Sequence, residues 1–146
     1  MALSSYKQYS GAYRQRMQTA FNAARAKGTI PEPYATPKPC EMCGQTHNTM
    51  LHQEEYGPTL ADYLDSSHWL CGRCHTMLHL RFRFPGRWAA YKQACRLGPQ
   101  PAIPHMGVLF GEARGWRDIP VTAGTAEGNS WWEALTCDRF TGHILP

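Results

Sequence analysis

Leu70-Cys71-Gly72-Arg73-Cys74-His75-Thr76-Met77-Leu78-His79 is the stretch on which the fold turns. Cys71 and Cys74 have the spacing at which two thiolates grip one tetrahedral zinc ion. His75 and His79, four apart on an expected helix, project their rings from one face. Working outward, the chain carries a second such pair in Cys40-Glu41-Met42-Cys43. Four soft sulfur ligands make a closed site, whose role is to hold two segments together and add folding energy. His52, on a strand expected around residues 49–52, is a third imidazole that can join His75 and His79 in an open metal site.

The same stretch fits the Cys-x-x-Cys-His signature of covalent haem attachment at Cys71, Cys74 and His75. The second cysteine pair argues against it. So does the start of the chain, where residues 1–13 hold no apolar stretch of signal-peptide length, so that a reducing, cytoplasmic location is expected. The six cysteines are then expected as ligands rather than disulfides. No apolar run approaches the roughly 20 residues of a membrane-spanning helix, which leaves no membrane role in view.

Length and composition set the frame. A chain of 146 residues, 42% hydrophobic, with 13 glycines and 11 prolines, suits one core with loop-rich appendages. The net charge of +4 conceals a segregation. Residues 1–38 carry six Lys or Arg against Glu32 alone, and residues 39–65 carry five acids and no Lys or Arg. Residues 66–111 then carry Arg73, Arg81, Arg83, Arg87, Lys92 and Arg96 with no acid at all. Such a block suits a phosphate backbone, although charge runs on exposed helices are often merely solvated.

Tyr6, Tyr9, Tyr13, Met17, Ala20, Phe21 and Ala24 recur at helical steps, so residues 5–26 are expected to form an amphipathic helix ended by Gly28, with Arg14 and Arg25 on its polar face. The proline-rich residues 28–39 read as an extended linker. A short knuckle, a strand, a long loop and a second strand around Trp69 and Leu70 should follow, then a helix from near Arg73 that stops before Pro85. Residues 86–97 read as another helix burying Trp88, Tyr91 and Cys95. Ser130-Trp131-Trp132-Glu133 matches a capping box for a short last helix.

In this order, Cys40-x-x-Cys43-Gly44, Leu51-His52-Gln53-Glu54-Glu55-Tyr56 and Leu70-Cys71-x-x-Cys74-His75-x-x-x-His79 resemble the zinc-containing HNH (ββα-metal) endonucleases of phages and mobile elements. The likeness covers roughly residues 40–80. It implies an α+β protein with a small ββα-metal core stapled by a four-cysteine zinc site, flanking helices and a loop-rich C-terminal extension. The expected parts are residues 1–39 (basic helix and linker), 40–98 (the zinc-stapled core and basic helix) and 99–146 (the tryptophan-containing extension).

The likeness further implies structural zinc, a second divalent ion (magnesium, manganese or another) on His52, His75 and His79, and phosphodiester hydrolysis on nucleic acid, DNA foremost. Arg14, Arg25, Arg73, Arg81, Arg83 and Arg87 are the expected phosphate contacts. The family's general base falls on Gln53, whose amide takes no proton near neutral pH, and its central asparagine falls near Ser66. Either His52 serves as base, or Glu54, Glu55 or His68 substitutes, or cleavage has been lost. Alternation puts Glu54 on the strand face of His52, which favours it over Glu55. A zinc-stapled binding module without turnover is the other reading. It holds nucleic acid or, through residues 99–146, a protein partner such as a host enzyme.

Overall fold

Ser10 decides where the first helix begins. In the computed structural model, which describes residues 6, 9–32 and 34–117, its side chain accepts the Tyr13 N–H at 3.1 Å. That N-cap starts α1 at Gly11 and α1 runs over Gly11–Ala26. The expected helix from residue 5 is thereby shortened. Tyr6 and Tyr9 exchange backbone N–H···O bonds of 3.0 Å in an isolated antiparallel bridge instead. At the other end Gly28 takes φ +72, the left-handed conformation that stops a helix without strain on a side chain.

The protein is α+β. β1 (Thr49–Gln53) and β2 (Ser67–Cys71) pair in a two-stranded antiparallel sheet. Between them lies α2 (Leu60–Asp65), a helix within the stretch expected to be loop. α3 (Gly72–Leu80) follows β2 directly, then α4 (Pro85–Cys95) and α5 (Met106–Ala113). Strand, strand, helix is thus the order around the cysteines, with α2 inserted. Among the described residues no helix is long and apolar enough to cross a membrane. The Ser130–Glu133 capping box lies outside the described residues.

The described residues fall into two compact units. One takes the chain up to Pro37 together with Leu51–His68; the other takes Lys38–Met50 and the chain from Trp69 on. The division is interleaved rather than serial along the sequence.

In the first unit α1 buries Met17 and Phe21, and α2 buries Tyr63 and Leu64. Aromatic rings supply most of this core: Tyr63 lies 5.9 Å from Phe21 and 5.5 Å from Tyr56, and Tyr56 lies 5.3 Å from Tyr9. The Arg14 guanidinium stands over the Tyr6 and Tyr56 rings at 5.4 and 5.3 Å. Thr59 and Asp62 form a reciprocal capping box at the start of α2. Gly57 passes so close that a Cβ there would lie 2.4 Å from the Asp62 Cβ.

The second unit is built around its cysteines. Cys40, Cys43, Cys71 and Cys74 belong to one buried cluster with Met42, Leu70, Met77, Leu78, Trp88, Cys95, Ile103 and Leu109. α4 begins on Pro85, whose fixed φ suits a first turn, and buries Trp88 and Cys95. α5 packs on α3 and buries Leu109 and Ala113.

Candidate metal centre

The two cysteine pairs reach one place by different local devices. Cys40 sits in a knuckle closed by the Gly44 N–H to the Cys40 carbonyl at 2.8 Å and the Cys40 N–H to the Gln45 carbonyl at 2.9 Å. Gly44 takes φ +82, which explains the glycine after Cys43. Glu41, almost wholly buried, fastens the knuckle to β2: its N–H donates to the Trp69 carbonyl and its carboxylate accepts the Trp69 N–H. Cys71 is the N-cap of α3, its sulfur facing the Cys74 N–H at 3.5 Å, so this pair sits at a helix N-terminus that favours negative sulfur.

All four sulfurs lie within 4.8 Å of one another and all four residues are buried. The Cys43 and Cys71 sulfurs are 3.9 Å apart, close to the roughly 3.8 Å that Zn–S bonds of 2.3 Å give between ligands of a tetrahedron. Hydrogen bonds from Cys40 hold the thiols of Cys43 and Cys71 below the usual range, while burial pushes those of Cys40 and Cys74 well above it. Four crowded, buried sulfurs cannot all be anionic unaided, and a bound cation would supply the compensation. The group can hold a metal ion such as zinc.

The Cys74 sulfur has two further neighbours, the Tyr91 hydroxyl at 3.1 Å and the Cys95 sulfur at 3.9 Å. Burial and then the neighbouring thiols push the Tyr91 hydroxyl pKa up, which keeps it protonated and able to donate to a thiolate. The i, i+4 spacing of Tyr91 and Cys95 on α4 is legible in the sequence; their convergence on one sulfur is not.

The histidines divide between the two units. In the second, His75 and His79 bring their Nε2 atoms to 3.0 Å, as the i, i+4 spacing on α3 implies. His75 Nδ1 lies 3.1 Å from the Met50 sulfur, a contact with no signal in the sequence. In the first, His52 Nε2 lies 3.5 Å from Glu54 Oε1, as strand alternation implies. Glu54 is no solvated acid. It is fully buried and accepts the Tyr6 hydroxyl at 2.7 and 2.9 Å on its two oxygens. Tyr6 also meets the His52 ring edge-on at 5.8 Å. Glu55 accepts the Tyr9 hydroxyl at 2.7 Å. Gln53 and His68 are buried as well.

Ser66 is the knot of this unit. Its hydroxyl accepts the Glu55 N–H at 3.1 Å and lies 2.8 Å from the Glu55 carbonyl and 3.3 Å from that of Tyr63. It thereby closes the connection between β1 and β2.

The arginines sort by exposure. Arg25, Arg83 and Arg87 are exposed and Arg14 and Arg73 half-buried. Arg73 Nε donates to the Pro101 carbonyl at 2.6 Å, and Arg87 covers the Trp116 ring at 4.3 Å. Arg81, unlike the others, is fully buried and donates to the Leu78 carbonyl at 2.8 Å. No family model, no curated protein and no solved structure matches this chain.

Proposed function

We propose that this chain is an HNH-type, metal-dependent nuclease acting on the phosphodiester bonds of nucleic acid, DNA foremost. Zinc on Cys40, Cys43, Cys71 and Cys74 staples its core, and a second divalent ion falls to His75 and His79, with His52 as the third ligand that the resemblance implies. The observation that carries this reading is the His75–His79 pair. Its two Nε2 atoms, 3.0 Å apart, are near the roughly 3.3 Å at which nitrogens share an ion with Zn–N bonds of 2.0–2.1 Å. In the tautomer protonated at Nδ1, the Met50 sulfur accepts a weak hydrogen bond from that nitrogen, which leaves the Nε2 lone pair of His75 for an ion.

Bound there, a divalent ion supplies positive charge to the scissile phosphate and its leaving oxygen. Glu54 orients the His52 ring, as carboxylates behind ligating histidines do, and the Tyr6 hydroxyl fixes that carboxylate in turn. Ser66 does at its position what the asparagine of the resembling proteins does, tying the inter-strand connection. Arg25, Arg83 and Arg87, exposed and cationic, are the contacts for phosphate.

Two features favour the second reading, a zinc-stapled module that binds nucleic acid or a protein partner without cleaving. Gln53 occupies the base slot, and Glu54 is sealed from water. Plasmid nicking with magnesium, manganese, nickel or zinc, compared between the native chain and His75→Ala, separates the two. Nicking that is lost in His75→Ala is the expected result. Binding without nicking by either protein, weakening steeply as salt rises, establishes the module instead.

A further inference from the structure

We propose that Cys74 and Cys95 form an oxidisable pair, and that their disulfide is a modification site that opens the metal centre to a peroxide-class oxidant. The inference rests on the reading of Cys40, Cys43, Cys71 and Cys74 as metal ligands. Its basis is a fifth buried thiol beside the four. The Cys95 sulfur lies 3.9 Å from that of Cys74, the same separation as Cys43 from Cys71 inside the cluster. Yet Cys95 does not belong to the group whose sulfurs all lie within 4.8 Å of one another. It therefore stands beside one ligand and outside the shell.

A second observation singles out the same ligand. α4 presents Tyr91 and Cys95 from one face, four residues apart, and both converge on the Cys74 sulfur. A hydroxyl that only capped a closed site would need no thiol next to it. With both, Cys74 has one neighbour that holds its thiolate in place and one that can take it away.

The chemistry balances with hydrogen peroxide as oxidant. The Cys74 thiolate attacks one peroxide oxygen, the O–O bond breaks, and a sulfenic acid and hydroxide result; hydroxide takes a proton from solvent and leaves as water. The Cys95 sulfur then attacks the Cys74 sulfur. Its S–S bond forms as the S–O bond breaks, and the departing oxygen carries off the Cys95 proton as a second water. Two sulfurs have together lost two electrons and the peroxide has gained them. The sulfurs close from 3.9 Å to a bond of about 2.05 Å. Cys74 is then a disulfide sulfur and no longer a thiolate ligand, so the ion keeps three of its four ligands and is released. Thiols and a reductant restore the site.

The test uses the full chain loaded with zinc. Hydrogen peroxide is added, zinc release is followed with a chromogenic chelator, and disulfides are mapped by mass spectrometry after thiol alkylation. A Cys74–Cys95 disulfide that accumulates with zinc release, and is lost with slowed release in Cys95→Ser, is the expected result. A disulfide confined to Cys40, Cys43, Cys71 and Cys74, or equally fast release from Cys95→Ser, overturns the proposal and leaves the metal centre standing. Mapping the unmodified chain decides the pairing even where Cys95→Ser folds poorly. A chain that takes up no zinc before oxidant is added removes the metal reading itself, and this inference with it.

Discussion

Tyr6 shows how much one hydroxyl can hold. It donates to both oxygens of a carboxylate that has no exposure to water, behind His52. Tyr6→Phe leaves Glu54 buried with a donor removed, which costs about 1–3 kcal/mol. Urea titration is expected to show a loss of unfolding free energy of that size, and an unchanged midpoint would show that the bond contributes nothing. Gln53 gives the complementary experiment. If the nuclease proposal holds and Gln53 stands in the base slot, Gln53→His is expected to create or raise metal-dependent nicking by about 10² to 10⁴, whereas little change assigns the base to His52 or Glu54. The gain should vanish when His75→Ala is added; a gain that survives implicates a contaminating activity. At this scale the sequence is informative about which residues carry metal chemistry, because cysteine and histidine spacing is a local property. It is silent on Tyr6, Tyr91 and Met50, whose partners lie 48, 17 and 25 residues away, since a lone tyrosine or methionine has no pattern to read.

α2 is the element hidden from the apolar pattern, and its six residues explain why: too few turns exist for a period to show. The Thr59-x-x-Asp62 capping signature is there to be read. Its entry depends on Gly57, where an added Cβ meets the Asp62 Cβ at 2.4 Å. Gly57→Ala must therefore push α2 away from its cap, with a loss of about 1–3 kcal/mol expected from overpacking. Calorimetry checks it, and a melting temperature equal to the native one would show that the turn yields freely. α3 and α4 are legible because Cys71, Pro85 and the buried positions between them mark both ends and one face. α1 is shorter than its pattern implies because aromatic spacing at Tyr6 and Tyr9 imitates a helix, and only the Ser10 cap distinguishes the two. α5, with Gly107 and Gly111 inside it, gives a weak helical signal on propensity grounds.

At the scale of the whole molecule the four cysteines that can hold a metal ion are also part of the second unit's buried cluster. On the zinc proposal, removing the ion from the second unit would leave four buried thiols crowded at the centre of that cluster. Zinc chelation is expected to abolish its cooperative unfolding transition and to reduce helical circular dichroism; a spectrum indifferent to a strong chelator would refute the staple. Acid should act in the same direction, because thiolate ligands must be deprotonated and protons compete with the ion. Lowering pH at fixed zinc is expected to lower the melting temperature more than in the apo chain.

The interleaved division of the chain also fixes an order of events during synthesis. Cys40 and Cys43 precede the segment Leu51–His68, and Cys71 and Cys74 follow it. From Cys43 to Cys74 is 74 − 43 = 31 residues, about 2–6 s of elongation at 5–20 residues per second. Leu51–His68 is made within that interval, so the nascent chain completes both segments of the first unit before it has the second cysteine pair. In those seconds the first cysteine pair offers only two of the four thiols that can hold a metal ion.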